Sequence, residues 1–391
     1  MVLTELILRG FRAHEHSELS LSSGLNLIYG PNGSGKTNLL EAIHFLALGK
    51  SFLASKDSYS LRFGAPFFDL RGTFEQEGRS AFEVRVIFKP DEGKRILVNG
   101  APLERLADLV GRIPIVILAP VDQSLTGGAP EERRRFLDNT MSQARPSYLN
   151  ALLKYRRTLK QRNAVLSAGR SVRPELLAPW NEEFVKGGVQ VSLLRARFVE
   201  EFGRYLDQAW NLVESIGERP TLEYNGFTSV RDWTDGQEIE RKFRSKMEQS
   251  YSSEKSMRRT LVGPHRDELT FRLNDIEVRR YASQGQHRTF GMALKLAKYL
   301  YLKEITQRTP LLLLDDVFGD LDLRRAGVFL DLLQNNKVGQ SVLTAADDTH
   351  FRTVVGFDGR TNNAIEVRSG AVVADLASTG HRERRERPLT R

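Results

Sequence analysis

The chain has 391 residues, of which 40% are hydrophobic, and its net charge of +9 favours an anionic partner such as nucleic acid. It contains no cysteine, which excludes disulfides and thiolate metal sites, and its seven histidines lack the H-E-x-x-H spacing of a catalytic zinc site. No stretch approaches the ~18 apolar residues of a membrane span, and the N-terminus lacks the basic region of a signal peptide, so we expect a cytoplasmic protein with no membrane partner.

The first third of the chain alternates strands with turns around one glycine-rich loop. Short apolar runs predict strands at 3–8 and 25–29. The glycine-rich loop at 30–36 follows, and a helix with one apolar face is predicted from Thr37 until Gly49 ends it. Tight-turn signals separate three further predicted strand regions, at 67–89, 94–98 and 113–119.

Near residue 130 the pattern changes to long amphipathic helices. Apolar residues recur at helical spacing over 148–166 and again over 191–212. A break containing Gly169, Pro174 and Pro179 separates the two runs. Such a pair forms either an antiparallel hairpin projecting as a short arm or two core helices of a globular lobe, and both alternatives stay open.

Strand patterns return from about residue 260, with buried parallel strands predicted at 311–315 and 341–344. The arginine-rich end of the chain is predicted to be disordered. We therefore predict an α/β fold, in which a P-loop ATPase head is built from both chain ends and a helical insertion forms a second lobe. The predicted parts are residues 1–128 (N-terminal head), 129–258 (helical lobe or arm), 259–372 (C-terminal head) and 373–391 (basic tail).

The glycine-rich loop carries the first chemical motif. Its residues fit the pattern G-x-x-x-x-G-K-[ST] between a strand and a helix: Gly30, Pro31, Asn32, Gly33, Ser34, Gly35, Lys36 and Thr37. The glycines let backbone N–H groups point at a phosphate, and the helix dipole adds positive charge. Lys36 is predicted to reach the terminal phosphates of ATP, and the Thr37 hydroxyl to hold Mg²⁺.

A pair of carboxylates follows the predicted strand at 311–314. Ligands bind at the carboxyl end of strands in an open α/β sheet, and Asp315 and Asp316 stand there. Adjacent residues on a strand point in opposite directions, so the two carboxylates are predicted to have different roles. Asp315 is predicted to hold the metal, and Asp316 to position or activate the water that attacks the γ-phosphate.

Two further strings complete the set of motifs. Ser283-Gln284-Gly285-Gln286 precedes a predicted helix and resembles the S-x-G-Q signature of ABC-type ATPases. A hydroxyl and a glycine at a helix start suit a phosphate, and a simple N-cap turn is the alternative interpretation. The string 319–322 (Gly-Asp-Leu-Asp) resembles the D-loop, which lies at the dimer interface of such ATPases.

The order of these motifs around a long insertion resembles ABC-type ATPases of the SMC and RecF group. Local strings resemble the RecF family in particular and occur between residues 10 and 322, so the resemblance covers most of the chain. These strings are 10–12 (GFR), 30–43 (GPNGSGKTNLLEAI), 49–52 (GKSF), 132–138 (ERRRFLD), 155–163 (YRRTLKQRN), 263–267 (GPHRD) and 283–286 (SQGQ).

The resemblance implies an ATPase that binds ATP with Mg²⁺, dimerises through it, binds DNA and hydrolyses ATP slowly. Ser283, Gly285 and Gln286 are then expected to complete the ATP site of a second subunit. The implied role is loading of recombinase at gapped DNA or at junctions of single- and double-stranded DNA. RecR- and RecO-like mediators are the implied partners, and recombinational repair and replication recovery the implied processes.

Three positions depart from the family pattern. Leu53 stands where a basic residue usually follows Gly-Lys-Ser-Phe, and the Q-loop role falls on Gln123 within an altered string. No histidine directly follows Thr344, where many ABC-type ATPases have a switch histidine, and His350 lies six residues further on.

Several interpretations remain open from sequence alone. Arg133, Arg134 and Arg135 stand near a predicted helix N-terminus, where positive charge is unfavourable, so they either contact an anion or form a solvated face. The basic residues of 156–162 either contact DNA or line the predicted arm. Alternative functions are a non-hydrolysing clamp that holds ATP and DNA, and an ATPase subunit of a transporter.

Overall fold

A computed structural model describes residues 1–76, 78–168, 174–213, 217–228, 230, 232–317 and 338–375. These residues form two compact units, one from Met1–Val121 with the described part of Leu302–Arg391, and the other from Asp122–Tyr301. Both ends of the chain therefore build the first unit.

The unit boundaries differ from the predicted boundaries at 129 and 259. The largest difference concerns residues 259–301, which belong to the second unit rather than to the head. The reason is strand pairing, since a strand at Glu268–Leu273 pairs with one at Pro220–Asn225. Sequence patterns reveal that a strand exists, but they do not reveal its partner.

The first unit contains an antiparallel sheet of six strands in the order β2-β1-β4-β5-β6-β7. Its strands are β1 (Val2–Phe11), β2 (His14–Ser20), β4 (Phe68–Gln76), β5 (Arg79–Lys89), β6 (Gly93–Val98) and β7 (Ala101–Pro102). Asn99 and Gly100 both have positive φ and form the turn that joins β6 to β7, as their sequence predicts.

A second six-stranded sheet of this unit has the order β15-β14-β3-β13-β12-β8. Its strands are β3 (Leu25–Tyr29), β8 (Ile115–Leu118), β12 (Leu311–Leu314), β13 (Ser341–Ala345), β14 (Asn363–Arg368) and β15 (Ala371–Asp375). Neighbouring strands from β8 to β14 are parallel, so the carboxyl ends of β3, β12 and β13 meet at one edge of the sheet. That edge carries the candidate site.

Helix α1 (Lys36–Leu48) forms the core of the first unit, where it contacts strands of both sheets. Almost all of its side chains are buried, including Glu41 and His44. The predicted single apolar face is therefore only part of what the helix buries. A helix that is covered on two sides needs partners for its buried polar groups. Glu41 has such a partner in Arg12. The unit also contains the short helix α9 (Thr349–Val354).

The second unit is mostly helical. Its helices are α2 (Gln123–Gly127), α3 (Pro130–Ala144), α4 (Pro146–Ser167), α5 (Pro174–Val213), α6 (Gly236–Met257), α7 (Val278–Tyr281) and α8 (Gln284–Thr306), the last of which runs beyond the unit boundary. A three-stranded antiparallel sheet contains β9 (Pro220–Asn225), β10 (Glu268–Leu273) and β11 (Ile276–Glu277).

Helices α4 and α5 are core helices of a lobe rather than a projecting arm. They run antiparallel, because Tyr148 contacts Arg195 near one end and Arg162 contacts Asn181 near the other. Helix α6 packs on α5, and its Glu254 pairs with Arg162 of α4. The structure thus supports the lobe alternative. Among the described residues, no helix has both the length and the apolar character needed to span a membrane.

Candidate nucleotide-binding site

The loop between β3 and α1 has a backbone that requires glycine. Gly30 has φ of 147°, and a Cβ there would lie 2.1 Å from the carbonyl oxygen of Val367. Gly35 has φ of 103° and lies at the N-cap of α1, where a Cβ would meet the His14 ring at 2.8 Å. Side chains at either position would displace the loop, so the two glycines set its path.

Lys36 lies along the inside of this loop. Its Nζ donates to the carbonyl oxygens of Gly30 and Pro31, at 2.7 and 2.9 Å. Burial lowers the pKa of Lys36, while the nearby carboxylates of Asp316 and Asp315 act to raise it. Within the described residues, the hydrogen-bond acceptors of its ammonium are backbone carbonyls of its own loop. The ammonium can therefore exchange them for a stronger anionic acceptor.

Asp315 joins the loop to the neighbouring strands. Its Oδ1 accepts hydrogen bonds from the hydroxyls of Thr37 and Thr344, both at 2.9 Å. Burial raises the pKa of Asp315, and the two hydroxyls oppose that rise. A buried carboxylate beside a threonine hydroxyl is an oxygen ligand set suited to Mg²⁺. The sequence analysis missed Thr344 as a partner of Asp315, since only the parallel pairing of β12 and β13 places them together.

Asp316 differs from Asp315 for a reason other than the predicted one. Strand β12 ends at Leu314, so the two carboxylates are not successive residues of a strand. Asp316 instead has φ of 49°, in the left-handed region, and its side chain is exposed. Its backbone N–H donates to the Thr344 hydroxyl at 2.9 Å. The carboxylates still face different surroundings, one buried among hydroxyls and the other open to water.

Ser34 contributes a buried polar atom without a partner. Its Oγ is shielded from solvent and makes no hydrogen bond to any residue that the structure describes, whereas its carbonyl oxygen accepts from Gly370 N at 2.8 Å. An unpaired buried hydroxyl costs free energy unless a ligand completes it. Together with Lys36 and the backbone N–H groups at the start of α1, this hydroxyl fits the oxygens of a phosphate.

Two polar contacts that the sequence analysis did not predict support the loop. His14 donates from Nε2 to the carbonyl oxygen of Gly35 at 3.0 Å, and its Nδ1 lies 2.8 Å from the hydroxyl oxygen of Ser17. Burial lowers the pKa of His14, which favours the neutral imidazole. Arg12 makes a bidentate pair with the fully buried Glu41 at 2.7 and 2.8 Å. The β1–β2 turn is thereby attached to both the loop and α1.

The signature string lies at the start of α8. Ser283 Oγ accepts from Gln286 N at 3.2 Å, and Gln286 Oε1 accepts from Ser283 N at 2.8 Å. This reciprocal pair is a capping box, so Ser283 does cap the helix. Ser283 and Gly285 are nevertheless exposed. A Cβ on Gly285 would meet only Ser283 Oγ, at 3.9 Å, so its surroundings in the described chain do not require glycine.

Other predicted site residues stay without a structural assignment. The D-loop string at 319–322 lies outside the described residues. Gln123 begins α2, and only its backbone is described. His350 is exposed near the start of α9.

The structure separates the three arginines of α3. Arg133 is 3% exposed and pairs with Glu268 at 2.7 Å, while Arg134 donates to the carbonyl oxygen of Asp267. Arg135 is exposed and pairs with glutamates of its own helix. Arg133 therefore has a structural partner inside the unit, and the three arginines do not share one environment.

Two of the family-like strings meet at a buried cation. Arg195 is 2% exposed and donates to Asp138 and Asp267, both at 2.8 Å. Tyr148 donates to Asp138 and Tyr224 to Asp267, each at 2.5 Å. We call these five residues the Arg195 cluster. The cluster gives one residue of each string, Asp138 of 132–138 and Asp267 of 263–267, a structural role in the second unit.

Comparisons with known proteins agree with this architecture. A family described as "AAA domain" matches residues 5–166. The DNA replication and repair protein RecF of Salinibacter ruber is 48% identical over 378 residues, which cover 96% of this chain and 92% of the relative. RecF of Chloroherpeton thalassium is 41% identical over 357 residues, covering 90% and 97%.

Solved structures of RecF and of an Smc head domain are similar to this chain. The recombination mediator protein RecF-ATP in the RecFOR pathway superposes with a TM-score of 0.87 at 30% identity, covering 95% of this chain and 96% of that one. An Smc head domain from Pyrococcus furiosus has a TM-score of 0.56 at 17% identity over 98% and 99%, which shows a shared fold. The fold is that of an ABC-type ATPase head. On the sequence identity that extends over nearly all of both chains, this chain belongs to the RecF family of DNA replication and repair proteins.

Proposed function

We propose that the chain is an ATP-binding, DNA-binding ATPase of recombinational repair and replication recovery that acts as an ATP-dependent dimeric clamp. The observation that carries this proposal is the contact between Thr37 and Asp315, which joins the phosphate loop to the carboxyl end of β12. It places a hydroxyl and a carboxylate beside Lys36, as hydrolysis of a nucleoside triphosphate requires. Related proteins named RecF, including one described with ATP, support the same assignment.

Each residue of the site has a distinct part in the proposed reaction. Lys36, the Ser34 hydroxyl and the N–H groups at the start of α1 bind the phosphates. Thr37 and Asp315 would hold Mg²⁺, which would supply positive charge beside the terminal phosphates. Asp316, exposed beside the loop, accepts a proton from the attacking water. Burial of Asp315 keeps bulk water away from its carboxylate, so its partners orient it before ATP arrives.

The dimer is proposed from the signature string. Ser283 Oγ accepts a hydrogen bond from Gln286 and retains a proton that it can donate to the γ-phosphate bound by a second subunit. The space around Gly285 suits close approach of that subunit. ATP between two subunits then acts as a removable link, and hydrolysis releases it.

The partners and the alternatives follow from family membership. The RecFOR pathway named for a solved relative supports RecO- and RecR-like mediators as partners. We further propose gapped or junction DNA as the substrate and the cytoplasm as the place of action. Membership of the RecF family removes the transporter-subunit alternative. A clamp that binds ATP without hydrolysing it is the remaining alternative, and release of phosphate in the presence of DNA distinguishes the two.

Sedimentation velocity with and without ATP·Mg²⁺ and DNA tests the proposal. We expect a monomer alone and a dimer with ATP. Lys36→Met removes the cation at the terminal phosphates, so nucleotide affinity should fall by about 10–100-fold, which corresponds to one charged hydrogen bond, and dimers should be lost. Ser283→Arg should bind ATP as the parent does, yet remain monomeric. If Ser283→Arg forms ATP-dependent dimers as the parent does, Ser283 has no role at the dimer interface and serves only to cap helix α8.

A further inference from the structure

The segment 258–266 lies along helix α4. Asn163 Oδ1 accepts from both the backbone N–H and the hydroxyl of Thr260, at 2.8 and 2.7 Å. Further along, a ring nitrogen of His265 lies 2.7 Å from the Tyr155 hydroxyl. The segment therefore runs antiparallel to α4. It covers about 12 Å of the helix, from the rise of 1.5 Å per residue.

Both elements direct basic side chains into solvent. We call the following exposed residues the basic face: Arg157 and Lys160 of α4, with Arg258, Arg259 and Arg266 of the segment. None of the five has an ion pair or a side-chain hydrogen bond within the described part of the chain. The adjacent Arg156 is 57% exposed but pairs with Asp138. Five positive charges of these two adjacent elements thus face solvent without a carboxylate partner among the described residues.

Three acidic residues of the second unit are buried and engaged by buried arginines. Glu254 is fully buried and pairs with Arg162 at 2.6 Å. Asp138 and Asp267 are engaged by Arg195 in the Arg195 cluster. Burial strongly lowers the pKa of His265, and the positive charges of Arg266, Arg134 and Arg162 lower it further. The three carboxylates are therefore engaged by buried arginines rather than by the residues of the basic face.

We propose that the basic face binds the sugar-phosphate backbone of duplex DNA. The proposal rests on the DNA binding proposed above and assigns it to a surface. Charge complementarity identifies a polyanion, since duplex DNA presents one negative charge per ~1.7 Å of its axis. A duplex fits better than a single strand, because binding of single strands relies on stacking on aromatic rings. Neither α4 nor the segment has an exposed aromatic ring.

Fluorescence anisotropy with a labelled duplex across a series of salt concentrations tests the proposal. The variant carries Arg157→Gln, Lys160→Gln and Arg259→Gln. Each lost phosphate contact lowers the slope of log affinity against log salt by about 0.9, so three give a decrease of about 2.7. Affinity at low salt should fall at least about tenfold. Each single substitution should lower the slope by about 0.9, which keeps the test valid if the triple variant misfolds.

A matched control carries Lys186→Gln, Arg241→Gln and Lys246→Gln, three exposed charges elsewhere on the second unit. It should keep the parental slope, and both variants should bind nucleotide as the parent does. An unchanged slope in the variants of the basic face overturns this inference. A greater loss for single strands than for duplex, or equal competition by polyglutamate, also overturns it. A parent chain that binds no DNA in any nucleotide state contradicts the proposed function itself.

Discussion

The phosphate-loop site of the first unit and the Arg195 cluster of the second unit are both built from buried charged groups, but only the cluster is complete. Each carboxylate of the cluster accepts from Arg195 and from a tyrosine hydroxyl. In the phosphate-loop site, Ser34 Oγ has no partner and Lys36 Nζ is held by backbone carbonyls. Buried polar groups with full partnerships stabilise one fold, whereas incomplete ones are ready to bind a ligand.

The largest effect is expected at the phosphate-loop site, on the rate of ATP hydrolysis. Asp316→Asn keeps the shape of the side chain but removes the proton acceptor. We expect ATP hydrolysis to slow by ~10²–10⁴-fold, the usual cost of losing a general base, while ATP-dependent dimers form and persist. Phosphate release and sedimentation velocity measure the two properties, with Asp91→Asn in an exposed turn as the control. Loss of nucleotide binding would instead make Asp316 the metal ligand.

Substitution in the Arg195 cluster should lower the free energy of unfolding. Arg195→Met leaves Asp138 and Asp267 buried with reduced compensation. Removing one partner of a buried ion pair typically costs about 3–5 kcal/mol in the free energy of unfolding. Urea unfolding followed by circular dichroism measures it, and Arg197→Met, exposed on the same helix, should change stability little. Equal stability of the two variants would show that the cluster contributes nothing.

Acid should weaken the second unit through His265, which lies beside the cluster. Burial lowers the pKa of His265 to about 4 in the folded chain, against 6.5 for an exposed imidazole. The unfolded chain therefore binds this proton at higher pH. Stability is unaffected above pH ~6.5 and decreases, by about 2–3 kcal/mol, as pH falls toward 4. Urea midpoints between pH 7 and 4 measure the decrease, and His265→Gln should reduce it, unlike His16→Gln.

The smallest effect is expected where charges are paired in solvent. Arg135 is 59% exposed and pairs with Glu131 and Glu132 of its own helix. Arg135→Ala should cost about 0–1 kcal/mol, since such pairs gain little in water. The same urea assay applies. A loss as large as that of Arg195→Met would mean that burial does not distinguish the arginines of this unit.

Much of the candidate site could be predicted because its signals are local. Eight successive residues between a strand and a helix define the phosphate loop, and two carboxylates after an apolar strand define its partner. The support from His14 and Thr344 could not be predicted, since each depends on contacts between segments distant in sequence. The roles of Asp315 and Asp316 remain predictions, although their different surroundings arise from a positive φ that the sequence did not indicate.

The sequence by itself determined the family, the order of the motifs and the α/β class, because these depend on residue types at short spacing. Only the tertiary structure decided which arginines are structural and which face solvent. Arg133, Arg162 and Arg195 find carboxylates 135, 92 and 72 residues away. Arg157 and Lys160, in the same helix as Arg162, find none in the part of the chain that the structure describes. A charge is buried only where a distant chain segment supplies its partner, and periodicity within one helix carries no information about that segment.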